Sequence, residues 1–129
     1  MPRLLLDTHV FLWWVTDDAN LTAATRRAIA DPNNECCLSM ASCWEMAIKS
    51  SLGKLRLAKS VERFVTEQLA ANSFALLPIE LRHAARNEKL PFHHRDPFDR
   101  LLIAQAMVEK ITIVTADQIF GKYGAKTLW

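Results

Sequence analysis

Hydrophobic positions along the chain fall into two rhythms. Short unbroken apolar stretches, of the length of buried strands, stand at Arg3–Leu6, Cys36–Ser39, Phe74–Leu77 and Ile111–Thr115, with a weaker one at Ala125–Leu128. Between them apolar residues recur at helical spacing. Thr22 to Ala30 opens on a hydroxyl cap and stops at Asp31-Pro32-Asn33-Asn34; Met40 to Leu52 ends at Gly53; Ser60 to Ala71 carries Val61, Phe64, Val65 and Leu69 on one face; Asp96 to Val108 is the strongest. After Asp7 the chain turns into a helix at Thr8-His9-Val10-Phe11-Leu12-Trp13. Strands alternating with helices predict an α/β fold, a three-layer α/β/α sandwich around a central parallel sheet. The basic, partly apolar segment from Gly53 to Lys59 reads as a link between two helices that forms a protruding clip.

With 129 residues, half of them hydrophobic, the chain is expected to build one domain over residues 1–129 around one sizeable core. No internal repeat, low-complexity tract or linker interrupts it. Lys+Arg 16 against Asp+Glu 14 gives a net charge of +2, which permits an anionic partner without requiring one. Cys36, Cys37 and Cys43 lack CxxC spacing, and the adjacent pair on a strand points to opposite faces, so a reduced, cytoplasmic protein is expected. The first residues lack the length and cleavage site of a signal peptide, and no apolar run nears the ~20 residues of a membrane span.

Acidic residues stand where the chain changes direction: Asp7 after the first strand, Asp99 at the start of the strongest helix, Asp117 after the fourth strand, and Glu45 on a helix near its core-facing stripe. Each has an ordinary explanation. Asp7 and Asp117 suit a helix cap or turn, and Glu45 suits a capping box with Ser42 or an i,i+4 pair with Lys49. In His94-Arg95-Asp96-Pro97-Phe98-Asp99, Asp96 suits the N-cap, Pro97 the first helical position and Asp99 the third. Recurrence shifts the balance, because several strand ends of a parallel sheet deliver acids to one edge, where a divalent cation is bound by oxygen ligands.

The segments Leu4-Leu5-Leu6-Asp7-Thr8, Ser42-Cys43-Trp44-Glu45-Met46-Ala47-Ile48-Lys49, His94-Arg95-Asp96-Pro97-Phe98-Asp99-Arg100-Leu101-Leu102-Ile103-Ala104-Gln105-Ala106 and Val114-Thr115-Ala116-Asp117 resemble PIN-domain ribonucleases, specifically VapC toxins of toxin–antitoxin pairs. The resemblance runs nearly end to end. It implies a Mg²⁺- or Mn²⁺-dependent endoribonuclease with Asp7, Glu45, Asp99 and Asp117 as catalytic metal ligands. Asp96, Thr8 and Thr115 are supporting residues, with Asp96 assigned first to capping. It also implies an RNA substrate, with tRNA favoured by analogy, a homodimer, and a small VapB-like antitoxin whose tail reaches the acidic site and places an arginine in the cation position.

Hard oxygen ligands favour Mg²⁺ or Mn²⁺ over zinc, for which His93-His94 and the cysteines offer no spaced set. Such a centre activates a water against the phosphodiester and stabilises the leaving 3′ oxygen, giving 5′-phosphate and 3′-hydroxyl ends. Arg95 and Arg100 flank the acidic helix start and are candidates for RNA contact, with Lys49, Lys54, Arg56, Lys122 and Lys126 extending a basic rim. His9 is a further candidate for RNA contact, whereas His93 and His94 read as loop residues the metal chemistry does not need. Trp13 and Trp14 suit an interface. A phosphoacceptor receiver domain would need an acidic pair after the first strand, where Asp7 stands alone. The alternative that keeps the fold is a catalytically inactive PIN-like RNA-binding or regulatory module, against which the retained acids argue.

Overall fold

Every strand expected from the apolar runs is present in the structure, a computed structural model that describes residues 2–129. They are β1 (Arg3–Leu6), β2 (Glu35–Ser39), β3 (Ala75–Leu77), β4 (Thr112–Val114) and β5 (Thr127–Leu128), all parallel, in the order β3-β2-β1-β4-β5. Helices α1 (Thr8–Val15) and α2 (Ala23–Ala30) link β1 to β2; α3 (Met40–Ser51) and α4 (Val61–Asn72) link β2 to β3. Helices α5 (Leu81–Asn87) and α6 (Pro97–Glu109) return the chain to β4, and a 3₁₀ helix, Gln118–Tyr123, precedes β5. The three-layer sandwich follows.

Strand periodicity divides the core in two. Leu4 and Leu6 of β1 join Cys36, Leu38 and Val114 on one face, covered by Val10, Phe11, Ile29, Met46 and Val65 from α1 to α4. Leu5, paired with Cys37 and Ile113, faces the other way, onto Leu102, Ile103 and Ala106 of α6 and onto Phe120 and Tyr123. Both faces of β1 are therefore buried, which is why it reads as an unbroken Leu run rather than an alternating one. Each such leucine contributes roughly 1.5–3 kcal/mol on leaving water. Cys36 and Cys37 do lie on opposite faces; both are free thiols, and burial, with the neighbouring Cys37 adding to it, pushes Cys36 up to about 11.

Caps set the helix starts. Thr22, Ser39, Ser60 and Asp96 each accept a first-turn backbone N–H at the heads of α2, α3, α4 and α6. Two elements have no counterpart in the sequence reading, α5 and the 3₁₀ helix. Helix α5 shows no apolar stripe, since Leu81 is exposed and only His83 is buried; a capping box between Glu80 and His83 starts it instead. The expected clip is also closer to the body than predicted. Lys54 and Leu55 both donate to the Lys49 carbonyl, folding the segment back on the end of α3, and Leu55 packs against the core while Lys54 and Arg56 stay exposed. Among the described residues no helix is long and apolar enough to cross a membrane.

Candidate functional site

All five strands are parallel, so their carboxyl ends share one edge. From β1 the chain winds outward to β2 and β3, then returns to the opposite side of β1 at β4. That reversal opens a crevice between the ends of β1 and β4. Asp7 and Asp117 lie on its two sides, and the Asp7 N–H joins the end of β1 to that of β4 by donating to the Val114 carbonyl at 3.0 Å.

The capping explanations for these acids hold, and they hold the acids in place. Asp7 Oδ1 accepts the His9 N–H at 2.8 Å, while Oδ2 accepts the Thr115 hydroxyl at 2.7 Å. Thr115 Oγ1 in turn accepts the Asp117 N–H at 3.0 Å, and Asp117 Oδ1 caps the 3₁₀ helix through the Ile119 N–H at 2.9 Å. At the head of α6, Asp96 Oδ1 accepts the N–H groups of Phe98 (2.8 Å) and Asp99 (3.3 Å). Asp99 then faces the crevice. With Asp7, His9, Val10, Trp13, Ala116 and Asp117 it lines a cleft of about 330 Å³.

Glu45 stands outside that lining. It is buried on α3 with both oxygens held: Oε1 lies 2.8 Å from Thr8 Oγ1, and Oε2 accepts Lys49 Nζ at 2.7 Å. The i,i+4 pair is thus present. The capping box with Ser42 is not, because Ser39 caps α3 and Ser42 instead lies 2.7 Å from the Thr8 hydroxyl. Lys49, half-buried, holds its proton more firmly than an ordinary lysine, through its bond to Glu45 and the charges of Glu45, Asp96 and Asp99.

Crowding shows most at Asp99. Burial, then the charges of Asp96, Asp7, Glu45 and Asp117, push its carboxyl up to about 8. A carboxylate so placed gains from a cation. Among the described residues no Lys or Arg is ion-paired to Asp99 or Asp117. The group that reaches both is His94, whose Nε2 lies 3.0 Å from Asp99 Oδ2 and 3.2 Å from Asp117 Oδ2. Nε2 and these carboxylates offer atoms all within 4.8 Å of one another.

Two residues depart from the sequence reading. Arg100, expected at the RNA surface, is buried: Nη1 donates to the Pro91 carbonyl at 2.8 Å, Nη2 reaches the carbonyls of Leu90 (3.3 Å) and Asn87 (3.4 Å), and the guanidinium lies 4.4 Å from the Phe92 ring centre. Both Nη groups are engaged by backbone carbonyls from Asn87 to His94 and by the Tyr123 hydroxyl, so the buried guanidinium is held inside the fold rather than presented to a phosphate. His94, set aside as a loop residue, belongs to the site; only its place two residues ahead of the Asp96 cap hinted at that. His9 stands at the mouth, its imidazole 64% exposed, and Arg95, Lys54, Arg56, Lys122 and Lys126 lie on the surface. Trp13 contacts both His9 and Trp129, with ring centres 5.9 Å apart in each pair.

The α/β/α fold is shared with solved structures that this chain matches over nearly its whole length. The PIN domain model matches residues 4–126, and the chain belongs to the PIN domain family. Within that family it is similar to Ribonuclease VapC22 of Mycobacterium tuberculosis, 30% identical over 119 residues that cover 92% of this chain and 89% of that protein. Two solved structures share the fold at low identity. VapBC2 from Rickettsia felis, bound to a DNA fragment from its promoter, has a TM-score of 0.72 at 14% identity, covering 98% of each chain. DNA-bound VapBC from Salmonella typhimurium has a TM-score of 0.71 at 16% identity, covering 99% of this chain and 98% of that one.

Proposed function

We propose that residues 1–129 form a single PIN-like nuclease domain acting as a divalent-metal-dependent endoribonuclease, the toxin of a toxin–antitoxin pair. The observation that carries this reading is the cleft at the β1/β4 switch point, where Asp7, Asp99 and Asp117 converge with Glu45 behind them and Asp99 is crowded to about 8. The donor set is all carboxylate oxygen, which fits Mg²⁺ or Mn²⁺.

Asp7, Asp99 and Asp117 would hold the ion, with Glu45 completing the set. A bound ion supplies a reactive water at neutral pH and neutralises charge on the scissile phosphate. The chain's own part is orientation. Thr115 aims Asp7 and seats Asp117 through one hydroxyl; Thr8 and Lys49 fix Glu45; Asp96 starts the helix that presents Asp99. His9 at the mouth and the exposed Arg95 would meet the RNA backbone, whose charge a bare acidic cleft repels. Products would carry 5′-phosphate and 3′-hydroxyl ends.

The VapBC assemblies among its structural relatives support a small VapB-like antitoxin as partner, and the chain is taken to act as a cytoplasmic homodimer. Transfer RNA is the substrate class to try first. Purified toxin freed of antitoxin should cleave RNA with Mg²⁺ or Mn²⁺ and stop with EDTA, and Asp99→Asn should lower the rate at least 100-fold, on the order of the loss expected for a group acting at the transition state. Mapping 5′ ends after brief induction reads the target. Cleavage that survives both EDTA and Asp99→Asn would sink the reading.

A further inference from the structure

His94 is built into the site more firmly than a loop histidine needs to be. Its backbone N–H donates to the Tyr123 hydroxyl at 2.7 Å, and its carbonyl lies 3.5 Å from Arg100 Nη1. Arg100 Nη1 also reaches the Tyr123 hydroxyl at 3.3 Å, closing a small buried frame around the segment. The imidazole packs edge-on against Phe120, with ring centres 5.9 Å apart. Its Nδ1 then accepts the Asp96 N–H at 3.1 Å.

That last bond decides what the ring can do. A backbone N–H only donates, so Nδ1 is the accepting nitrogen and the ring proton resides on Nε2. Nε2–H faces Asp99 Oδ2 and Asp117 Oδ2. As a donor it is not free to be a metal ligand.

We infer that His94 is a positioning residue of the acidic site: its Nε2–H bridges Asp99 and Asp117 and holds these carboxylates, from two separate elements, together for one cation. Asp99 comes from the first turn of α6 and Asp117 from the turn after β4, and each repels the other. Asp117 Oδ1 is already committed to the Ile119 N–H, so the His94 bond sets the direction of its other oxygen. A similar trio elsewhere marks the contrast. His83 Nε2 lies 2.9 Å from Glu109, which is also paired with Arg3 and Arg82, so that cluster is neutralised within the protein. At His94 the two carboxylates have no such cation among the described residues. Outer hydrogen bonds of this kind tune metal affinity by orienting the ligands.

The inference rests on the metal-site reading, and one titration separates the two. Metal-stripped full chain is titrated calorimetrically with Mn²⁺, alongside Mn²⁺ electron paramagnetic resonance and thermal melting, for wild type, Asp99→Asn, His94→Ala, His94→Met and His94→Gln. His94→Ala and His94→Met, which lack the donor, should bind Mn²⁺ about 10–100-fold more weakly than wild type. His94→Gln, which keeps a side-chain N–H, should recover most of the affinity. Met fills the space against Phe120, so its loss is read even where Ala fails to fold. Wild-type affinity in His94→Met overturns the role of His94 alone, as does a Gln variant that folds yet binds as weakly as Met. No Mn²⁺ binding by wild type overturns the metal site and this inference together, and binding lost only in Asp99→Asn overturns this inference while sparing the metal site.

Discussion

Asp99 gathers the strain of the whole acidic edge into one titration. Burial first, and then four neighbouring carboxylates, lift it from 3.8 to about 8. Because the folded value is the higher one, the native state keeps a proton that the unfolded chain has released between those values. The stabilising contribution of that proton is full below the unfolded value and is lost as pH rises through about 8. Two outcomes follow for metal-free protein. Asp99→Asn, which stays neutral at every pH, should raise the melting temperature by several degrees at about pH 9 and by markedly less at about pH 5, where most of the proton's contribution is still present. Mn²⁺ must displace the same proton, so its stabilising effect on wild type should grow over that range. Melts at the two pH values read both, and an equal effect of Asp99→Asn at each would contradict the assignment. The position of Asp99 in the first helical turn, three residues after Asp96, was legible in the sequence; the rest of its crowding was not, because Asp7, Glu45 and Asp117 come from three distant places along the chain.

Helix α6 shows how an element converts local chemistry into a site. Asp96 at the cap and Pro97 in the first turn start the helix where the sequence predicted, and the start point aims Asp99 at the crevice. Asp96→Ala should cost about 1 kcal/mol in urea unfolding by loss of the cap. Asp96→Asn keeps a capping oxygen and should cost far less, while Mn²⁺ affinity stays within a few-fold of wild type. A large loss of affinity in Asp96→Asn would make Asp96 a ligand rather than a cap. Arg100, one residue on from Asp99, is the counterexample. Its charge and place predicted a surface role, yet the chain between α5 and α6 offers it carbonyls instead of water. Sequence patterns report the average habit of a residue type, and only packing shows where a side chain finds its partners. Helix α5 was missed for a related reason: its stability comes from a capping box and one buried histidine, not from an apolar stripe.

At the scale of the molecule, the sheet order does the assembling. Placing β1 between β2 and β4 brings the turns after β1 and β4 side by side and leaves the cleft between them. Metal binding should therefore act on the fold as a whole. Saturating Mn²⁺ at about 100 times its dissociation constant should stabilise wild type by about 2.7 kcal/mol, a shift of several degrees in melting temperature. Asp7→Asn combined with Asp99→Asn should abolish the shift. A shift of equal size in the double variant would place the metal elsewhere.

Buried strands, amphipathic helices, caps and the candidate status of Asp7, Glu45, Asp99 and Asp117 were set by the sequence itself, because hydrophobic period and capping act between residues a few positions apart. Tertiary structure decided which of those local features meet. Thr115 grips Asp7 across 108 positions of chain, and His94 reaches Asp117 across 23 and Tyr123 across 29. Contacts of that span depend on the crossover that returns the chain to the far side of β1, and no periodicity along the sequence encodes which ends that return brings together.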